Sequence, residues 1–598
     1  MAKQQETGER DPEQIAQILA EIADKSQQLM QEFAERRCAR NGDASSSSDP
    51  LNLRPTILEL TTRLMADPAA LVQAQFTLWQ DYLRLWQSTS QRLLGQTVDP
   101  VAEPASDDRR FRDPSWDDNA LFDFIKQSYL LTSRWLVNTV NRVEGIDDKT
   151  RQRIDFYTRQ FVDAMAPSNF IATNPEVLRA TLESGGENLL RGLNNLLGDL
   201  TRGNGKLAIT MTDLDAFALG ENLALTPGKV VFQTELMQLI QYAPTTEQVH
   251  QRPLLIIPPW INKYYILDLQ PKNSFIKYAV DQGFTVFVIS WVNPDREHAR
   301  KTFEDYMVEG PLAALDALRE ATGEAEATVI GYCLGGTLLA ATLAYLAAKG
   351  DRRIKAATFF ASLVDFTDPG ELGVFIDEEQ LAAMDAMMAE HGYLDGRHMA
   401  TTFNMLRAND LIWSFVVNNY LLGKEPFPFD LLYWNSDSTR MPYAMHSFYL
   451  RRFYQENRLV EPGGITLCDV PLELEKIRLP VYLLSTREDH IAPWASTYAA
   501  TQIYRGKTTF VLAGSGHIAG VINPPSVQKY GFWTNPELPP DPQEWLRSAT
   551  HNPGSWWPHW CDWNARFAGK LVPARQPGAG KLEPLEDAPG SYARVRAV

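Results

Sequence analysis

The sequence G-Y-C-L-G at positions 331–335 constrains the fold most, because it joins an apolar run to an Ala- and Leu-rich run. The first run predicts a buried strand and the second predicts a helix. This arrangement is typical of a nucleophile elbow in which cysteine replaces serine. Gly331 and Gly335 allow the sharp turn, and the dipole of the helix that begins at Leu334 favours the thiolate of Cys333. The sequence therefore predicts Cys333 as a nucleophile, with a buried cysteine in an ordinary turn as the alternative.

A nucleophile elbow requires a sheet, and the chain after about residue 205 has β-rich runs separated by helical stretches. Continuous apolar runs such as TVFVIS and VYLLS fit strands that are buried on both faces of a sheet. The alternation of strands and helices indicates right-handed crossovers and a mostly parallel sheet. The predicted strands are Lys229–Thr234, Leu236–Tyr242, Pro253–Ile257, Phe284–Ser290, Ala327–Gly331, Ala356–Ala361, Val481–Ser485 and Thr508–Leu512. The predicted class is α/β, as an α/β-hydrolase fold with a mostly parallel sheet.

An elbow of this type needs an acid and then a histidine further along the chain. Asp489 and His517 follow the last two predicted strands. Both lie in loops at the carboxyl ends of strands, where open α/β sheets bind their ligands. The order predicts Cys333, Asp489 and His517 as the catalytic residues. Asp365 as the acid and His490 as the base are alternatives that the sequence leaves open.

The intermediate of acyl transfer needs backbone donors for its oxyanion. The elbow motif predicts that one donor is the N–H of Leu334, directly after the nucleophile. The second is expected from the loop after the strand Pro253–Ile257, which reads PPWINK. We expect the N–H of Ile261 to serve there.

The remainder of the chain divides into four regions. Residues 1–205 predict a helical N-terminal domain, in which about the first 50 residues are flexible and include the Ser-rich stretch 41–50. Residues 206–598 predict the catalytic domain. An aromatic, helix-favouring insertion at about 367–474 is too long for a plain loop and predicts a cap. A Pro- and Gly-containing tail at about 573–598 predicts an extended segment.

An aromatic stripe lies within the N-terminal domain. Its residues are spaced by four and three, which predicts one face of a helix; they are Val72, Phe76, Trp79, Leu83 and Trp86. The favoured interpretation is a core face or a helix–helix seam. The alternative is a surface that docks on another apolar body.

Composition excludes several functional classes. With 57 basic and 74 acidic residues the chain has a net charge of −17, which is unfavourable for nucleic-acid binding. Its four cysteines form no CxxC or Cys/His cluster, so we expect neither a disulfide scaffold nor a metal site. The N-terminus lacks the apolar core of a secretory signal, and the longest apolar stretch is too short for a membrane span. We therefore expect a cytoplasmic protein.

A cysteine nucleophile has a consequence for the reaction. When it attacks a thioester it forms another thioester, so the acyl group stays activated for transfer to an alcohol. Such a design requires that water be excluded. The insertion offers Trp413, Phe427, Phe429, Tyr433 and Trp434 as a cover, with a dimer surface or added core as the alternative.

Several long motifs resemble those of polyhydroxyalkanoate synthases. The resemblance is strongest to the class I enzymes, which act without a second essential subunit. The resemblance covers Phe111 to the C-terminus. It rests on the elbow and on the runs PPWINKYYILDLQPKNSF, PFPFDLLYWNSDSTRMP, REDHIAPW, SGHIAGVINPP and LEDAPGSY.

The resemblance implies an acyltransferase that polymerises 3-hydroxyacyl-CoA, most simply 3-hydroxybutyryl-CoA, into a polyester. It implies that Cys333 carries the acyl group, that His517 activates it, and that Asp489 either orients His517 or activates the hydroxyl of the monomer. Coenzyme A is then part of the substrate and is released, and no separate cofactor is expected. The resemblance also implies a homodimer on cytoplasmic polymer granules, in contact with the growing chain and with granule-associated proteins.

Two other functions remain open from the sequence. A cysteine-dependent hydrolase of thioesters or polyesters has the same scaffold and the same residues. A granule-coating protein with a vestigial site is the alternative outside catalysis. For the N-terminal domain we expect a role in dimer stabilisation, granule attachment or partner binding.

Overall fold

The computed structural model describes residues 17, 18, 20–25, 27 and 53–597. The chain divides into two compact units. The first ends at Asp213 and also contains Phe403–Phe427, and the second contains Leu214–Thr402 and Pro428–Val598. The sequence does not anticipate that Phe403–Phe427 groups with the N-terminal unit, and the division at residue 205 stays a prediction. The Ser-rich stretch 41–50 lies outside the described residues.

The first unit is built from helices, and four of them begin at side-chain caps. Asp67, Asn119, Asp147 and Asn174 each accept hydrogen bonds from backbone N–H groups of the first turn, which satisfies donors that a helix leaves free. The helices are α1 (Leu53–Ala66), α2 (Pro68–Leu93), α3 (Ser115–Asp118), α4 (Ala120–Asn141), α5 (Asp148–Ala164), α6 (Pro175–Ser184) and α7 (Glu187–Arg202). Short π-helical runs at Asn409–Trp413 and Val416–Leu421 belong to the same unit.

The aromatic stripe on α2 is not a core face, so that interpretation is wrong. Phe76 is 51% exposed and Trp79 is 58% exposed. Helix α2 packs on α4 through a different face, where Leu85 is buried and the indole N–H of Trp135 donates to the carbonyl of Ala74 at 3.0 Å. Of the stripe residues, Trp86 still contacts this neighbour, because its ring lies edge-on to Phe124 of α4 with centroids 5.7 Å apart.

The second unit contains an 11-stranded sheet in the order β15-β14-β13-β12-β7-β6-β4-β5-β2-β1-β17. The strands are β1 (Gly228–Gln233), β2 (Met237–Tyr242), β3 (Gln248–His250), β4 (Leu254–Ile257), β5 (Val286–Trp291), β6 (Ala327–Tyr332), β7 (Ile354–Phe360), β8 (Tyr393–Leu394), β9 (Met441–Pro442), β10 (Thr466–Leu467), β11 (Val470–Pro471), β12 (Val481–Thr486), β13 (Thr508–Ala513), β14 (Phe532–Thr534), β15 (Thr550–Asn552), β16 (Leu571–Pro573) and β17 (Glu586–Asp587). Strands β13, β12, β7, β6, β4 and β5 are parallel to their neighbours within this series.

All eight predicted strands are present, and the predicted fold class is confirmed. The central strands are buried along their whole length because helices cover both faces of the sheet. The helices are α8 (Phe275–Asp281), α9 (Phe303–Met307), α10 (Ala313–Thr322), α11 (Leu334–Lys349), α12 (Glu378–His391), α13 (Gly396–Leu406), α14 (Asp430–Ser436), α15 (Tyr443–Tyr449), α16 (Trp494–Tyr498), α17 (Ala500–Ile503), α18 (Pro542–Ser548), α19 (Trp557–Ala565) and α20 (Ser591–Arg594).

Two segments add to this sheet. The interval between the adjacent parallel strands β7 and β12 contains α12–α15 and a π-helical run at Leu450–Gln455, where the sequence predicts a cap. The C-terminal tail is extended only in part. Its strand β17 pairs with β1 at the sheet edge, and the short helix α20 follows. Within the described residues, none of the helices combines enough length and hydropathy to span a bilayer.

Candidate active site

Cys333 lies at the point where β6 ends and α11 begins. Its backbone has φ of 51° and ψ of −122°, a conformation that a residue with a side chain rarely adopts. Its N–H donates to the carbonyl of Phe360 on β7 at 2.8 Å. The turn therefore presents the sulfur above the carboxyl end of the sheet, at the N-terminus of a 16-residue helix. This is the geometry of a nucleophile elbow.

Three glycines make the elbow sterically accessible. A Cβ at Gly335 would lie 2.2 Å from the carbonyl oxygen of Ile257, and one at Gly331 would lie 2.5 Å from the Cα of Gly336. A Cβ at Gly336 would lie 1.9 Å from Oγ of Ser362. The sequence identifies Gly331 and Gly335 but misses Gly336, for which the doubled glycine is the available signal.

Asp489 and His517 come together, although 28 residues separate them. Nδ1 of His517 lies 2.7 Å from Oδ2 of Asp489, which also accepts from the hydroxyl of Thr486 at 2.9 Å. Oδ1 of Asp489 accepts from the N–H groups of Ile491 and Ala492, both at 2.9 Å. The carboxylate side chain is 0% exposed. Its orientation is therefore fixed by four hydrogen bonds.

The electrostatics couple these groups to the sulfur. Burial lowers the pKa of His517, but the charges of Asp489 and Cys333 and hydrogen bonds to both side chains raise this pKa well above the usual range. Burial raises the pKa of Asp489, but His517 and the two N–H donors outweigh burial and lower that pKa. His517 can thus hold a proton between the sulfur and an ionised carboxylate.

Tyr332 fixes the loop that carries the histidine. Its hydroxyl donates to the carbonyl of His517 at 3.2 Å, and its ring stacks on the imidazole with centroids 5.7 Å apart. The side chain is buried. The sequence does not identify this residue, although its place inside the elbow is the signal that points to it.

The alternative acid is bonded elsewhere. Oδ1 of Asp365 accepts from the N–H and hydroxyl of Thr367 and from the amide of Asn457. The carboxylate that contacts His517 is Asp489. His517 rather than His490 is accordingly the histidine that bonds this acid.

The predicted oxyanion donors lie on adjacent segments. Leu334 is the first residue of α11, and Ile261 belongs to the loop that follows β4. The close approach of Gly335 to the carbonyls of Ile257 and Pro258 places the start of the helix against the start of this loop. The donor roles of Leu334 and Ile261 stay predictions.

Comparisons with known proteins identify the family of this chain. A family described as "Poly-beta-hydroxybutyrate polymerase (PhaC) N-terminus" matches residues 107–279, and the "alpha/beta hydrolase fold" family matches residues 252–524. The chain is 51% identical to "Poly(3-hydroxyalkanoate) polymerase" of Methylorubrum extorquens, over 99% of this chain and 98% of that protein. The chain belongs to the poly(3-hydroxyalkanoate) polymerase family.

Other similarities extend the comparison. The polymerase subunit PhaC of Rhizobium meliloti is 49% identical over 98% of this chain and 96% of its own length. That of Cupriavidus necator is 44% identical over 93% of both chains. A monoacylglycerol lipase structure from Paleococcus ferrophilus has 13% identity and a TM-score of 0.31, covering 56% of this chain and 98% of that one. The polymerases of Methylorubrum extorquens, Rhizobium meliloti and Cupriavidus necator confirm the family and the enzyme class predicted from the motifs.

The aromatic residues that the sequence offers as a cover differ in exposure, and their role as a cover stays a prediction. Phe427 is 79% exposed and Phe429 is also exposed. Tyr433 and Trp434 are buried in the core, and the indole of Trp434 donates to the carbonyl of Lys263 at 2.7 Å. Trp413 belongs to the first unit.

Tyr449 and Tyr454 interact electrostatically with Cys333. Burial raises the pKa of both phenols, and the negative charge of a Cys333 thiolate raises both further. Their ring centroids lie 5.4 Å apart, and the ring centroid of Phe366 lies 4.8 Å from that of Tyr454. Both tyrosines come from α15 and the π-helical run after it, within the predicted insertion. The sequence misses them because its periodicity does not show which face of this segment meets the elbow.

The other cysteines differ from Cys333. Burial and a neighbouring carboxylate raise the pKa of Cys561 to about 11 and also raise the pKa of Cys468. Both are therefore poor nucleophiles near neutral pH. Cys38 lies outside the described residues.

The sequence offers two basic pairs, Arg300–Lys301 and Arg451–Arg452, for the phosphates of coenzyme A, and three of these four side chains have carboxylate partners. Arg451 bonds Glu378 and Asp385, and Lys301 pairs with Glu235 and Glu309. Arg452 pairs with Glu456, and Arg300 is exposed. These contacts favour ordinary surface charges.

Proposed function

We propose that this protein polymerises (R)-3-hydroxyacyl-CoA, most simply 3-hydroxybutyryl-CoA, into a polyester and releases coenzyme A. The observation that carries the proposal is the linked arrangement of Cys333, His517 and Asp489 at a strained elbow, in a chain of the polymerase family. The proposed reaction needs no separate cofactor, because the thioester bond of the substrate already activates the acyl group.

The first step loads the cysteine. His517 accepts the proton of the Cys333 thiol, and the sulfur attacks the thioester carbonyl. The resulting oxyanion is stabilised by N–H groups at the start of α11 and in the loop after β4. Collapse of the intermediate breaks the carbon–sulfur bond to coenzyme A, which leaves with the proton from His517. One thioester replaces another, so the step is nearly isoenergetic.

The second step lengthens the chain. The hydroxyl of a 3-hydroxyacyl group attacks an acyl thioester on Cys333, an ester bond forms, and the sulfur leaves as a thiolate. His517 accepts the hydroxyl proton. A thioester is converted to an oxygen ester, which makes the step favourable.

The geometry of Asp489 bears on its role, which the sequence leaves open. The carboxylate has no exposed surface, and its two oxygens accept four hydrogen bonds. An incoming hydroxyl would have to displace one of these donors to reach it. We therefore assign Asp489 to orienting His517 and stabilising its protonated form.

Exclusion of water separates this reaction from hydrolysis. Tyr449 is almost entirely buried, and it packs with Phe366, Phe453 and Tyr454. Such aromatic surroundings next to Cys333 favour an acceptor that brings apolar surface with it. This arrangement supports polymerisation over the hydrolase alternative.

Incubation with 3-hydroxybutyryl-CoA tests the proposal. We expect free coenzyme A to appear together with insoluble polyester, in amounts that match one ester bond for each thiol released. Thiol titration and gas chromatography of the methanolysed pellet measure the two products. Free 3-hydroxybutyrate as the only acyl product would establish the hydrolase instead.

We further propose that the enzyme acts as a homodimer on cytoplasmic polymer granules, alongside granule-associated proteins. The exposed aromatic face of α2 supports granule attachment, since a polyester surface is apolar and uncharged. Within Pro68–Leu93 only Asp81, Arg84 and Arg92 carry charges.

Replacing Phe76 and Trp79 together by serine is expected to weaken granule attachment. Both side chains are exposed, and the loss of roughly 100 Å² of apolar contact from each, at about 25 cal/mol per Å², amounts to about 5 kcal/mol and predicts a partition coefficient lowered on the order of 10³-fold. Sedimentation with poly(3-hydroxybutyrate) particles measures the bound fraction. Arg84→Ser, on the same helix and also exposed, is the control. A double variant that sediments like the unaltered protein would contradict the attachment site.

A further inference from the structure

Lys263 is a buried lysine at the end of the loop that follows β4. Its side chain is 1% exposed. Its ammonium donates to the carbonyls of Ala593 at 2.9 Å and Val595 at 2.6 Å. It also forms an ion pair with Asp437 at 3.5 Å, and that side chain is equally buried. The single charge thus joins the loop to the C-terminal tail and to the segment after α14.

Such a pair is a poor source of stability. Taking an ammonium out of water is expensive, and an apolar side chain of the same volume would often stabilise a buried site as well or better. Burial lowers the pKa of Lys263, and the charge of Asp437 opposes that shift. What an apolar side chain lacks is directional hydrogen bonding to two carbonyl groups at once. The lysine therefore suits a role in positioning.

The segment after α14 determines the orientation of the loop. The hydroxyl of Thr439 donates to the carbonyl of Trp260, and its N–H donates to the carbonyl of Ile261 at 2.9 Å. The carbonyl of Trp260 and the N–H of Ile261 belong to the same planar trans peptide and point in opposite directions. Fixing one of them fixes the other. Thr439 thus directs the N–H of Ile261, the predicted oxyanion donor, away from its own segment.

The tail supplies a rigid support on the other side of Lys263. Strand β17 pairs with β1, and the hydroxyl of Tyr592 donates to the carbonyl of Thr234 at 2.9 Å. Arg594 donates to the carbonyl of Leu219 at 3.1 Å. Ala593, whose carbonyl binds the ammonium, is fully buried. The tail carbonyls are therefore held by the sheet and not by Lys263 alone.

We propose that Lys263 is a positioning residue that ties the loop after β4 to the C-terminal tail and to Asp437, so that the N–H of Ile261 is held towards the oxyanion. This inference rests on the proposed function, because it concerns the acyl-transfer step at Cys333. Lys263 touches no reacting atom. Its effect passes through the backbone of Ile261 and Asn262.

The replacement Lys263→Met tests this role, because methionine fills similar space without a charge. We expect acylation of Cys333 by 3-hydroxybutyryl-CoA, followed in a single turnover as coenzyme A release, to slow by about 10- to 100-fold. KM is expected to stay within about twofold. Alkylation of Cys333 by iodoacetamide is expected to keep its rate, since alkyl displacement forms no oxyanion. Asp437→Asn should slow acylation by a smaller factor.

Lys229→Met is the matched control, because it removes an exposed contact between the sheet and Asp587 of the same tail. It should leave both rates unchanged. Acylation by the Lys263→Met protein within twofold of the unaltered enzyme would overturn the inference. So would a parallel loss of acylation, alkylation and thermal stability, which would mark a purely structural residue. If the unaltered enzyme fails to transfer an acyl group from the thioester to Cys333, the proposed function itself fails.

Discussion

Replacing Cys333 by alanine is expected to abolish both coenzyme A release and polymer formation, with a loss on the order of 10⁴-fold or more. Alanine removes the only sulfur placed at the strained turn between β6 and α11 and leaves the glycine contacts intact. His517 and Asp489 then have no nucleophile to activate. Thiol titration after mixing with 3-hydroxybutyryl-CoA measures the first product, and the mass of insoluble polyester measures the second.

Cys333→Ser separates the role of sulfur from that of the elbow. Serine fits the same turn, and acyl transfer from a thioester to its hydroxyl is favourable. The activation of the thioester is lost in that step, so onward transfer from the oxygen ester to another alcohol releases almost no free energy. We expect at most one equivalent of coenzyme A per protein and no polymer.

Cys561→Ser is the control for these two variants. This cysteine lies on α19, and its raised pKa of about 11 keeps its thiol protonated near neutral pH. Its replacement should leave turnover within about twofold. Polymer formation that survives Cys333→Ala would exclude Cys333 as the nucleophile, whereas a granule-coating protein with a vestigial site would form no polymer even when unaltered.

The elbow and the central sheet could be predicted because local sequence patterns determine both. A strand, a turn rich in glycine and a helix follow one another around Cys333, and each central strand is a continuous apolar run. The loops with Asp489 and His517 meet because parallel strands β12 and β13 are neighbours in register. Chain order alone therefore indicates both residues.

The surroundings of the site depend on contacts that local sequence does not contain. Periodicity shows that α2 has an aromatic stripe but not that α4 packs on its other face through Leu85. Tyr449 and Tyr454, whose phenol pKa values respond to the charge of Cys333, lie more than a hundred residues later in the chain. Lys263 meets the tail carbonyls across 330 and 332 residues. Such pairings require the folded topology.

Asp489→Asn is expected to slow acylation of Cys333 on the order of 10⁴-fold without unfolding the protein. The backbone N–H groups of Ile491 and Ala492 are donors, so only the amide oxygen of the new side chain can accept their hydrogen bonds. Its NH₂ group must then face Nδ1 of His517, which has to accept a hydrogen bond. The proton of the neutral ring moves to the other nitrogen, which therefore cannot accept the proton of Cys333.

The use of butyryl-CoA, which lacks the 3-hydroxyl group, distinguishes the two roles considered for Asp489. If the carboxylate orients His517, single-turnover acylation by this thioester falls as steeply as acylation by 3-hydroxybutyryl-CoA. If it serves only to activate the hydroxyl of the monomer, butyryl transfer proceeds at the normal rate and elongation alone is lost. Asp365→Asn is the matched control, because that carboxylate bonds Thr367 and Asn457 and should leave acylation within about twofold. The buried, four-fold bonded carboxylate of Asp489 favours the first outcome, since the positive charge that develops on His517 during acylation is the charge that Asp489 is placed to stabilise.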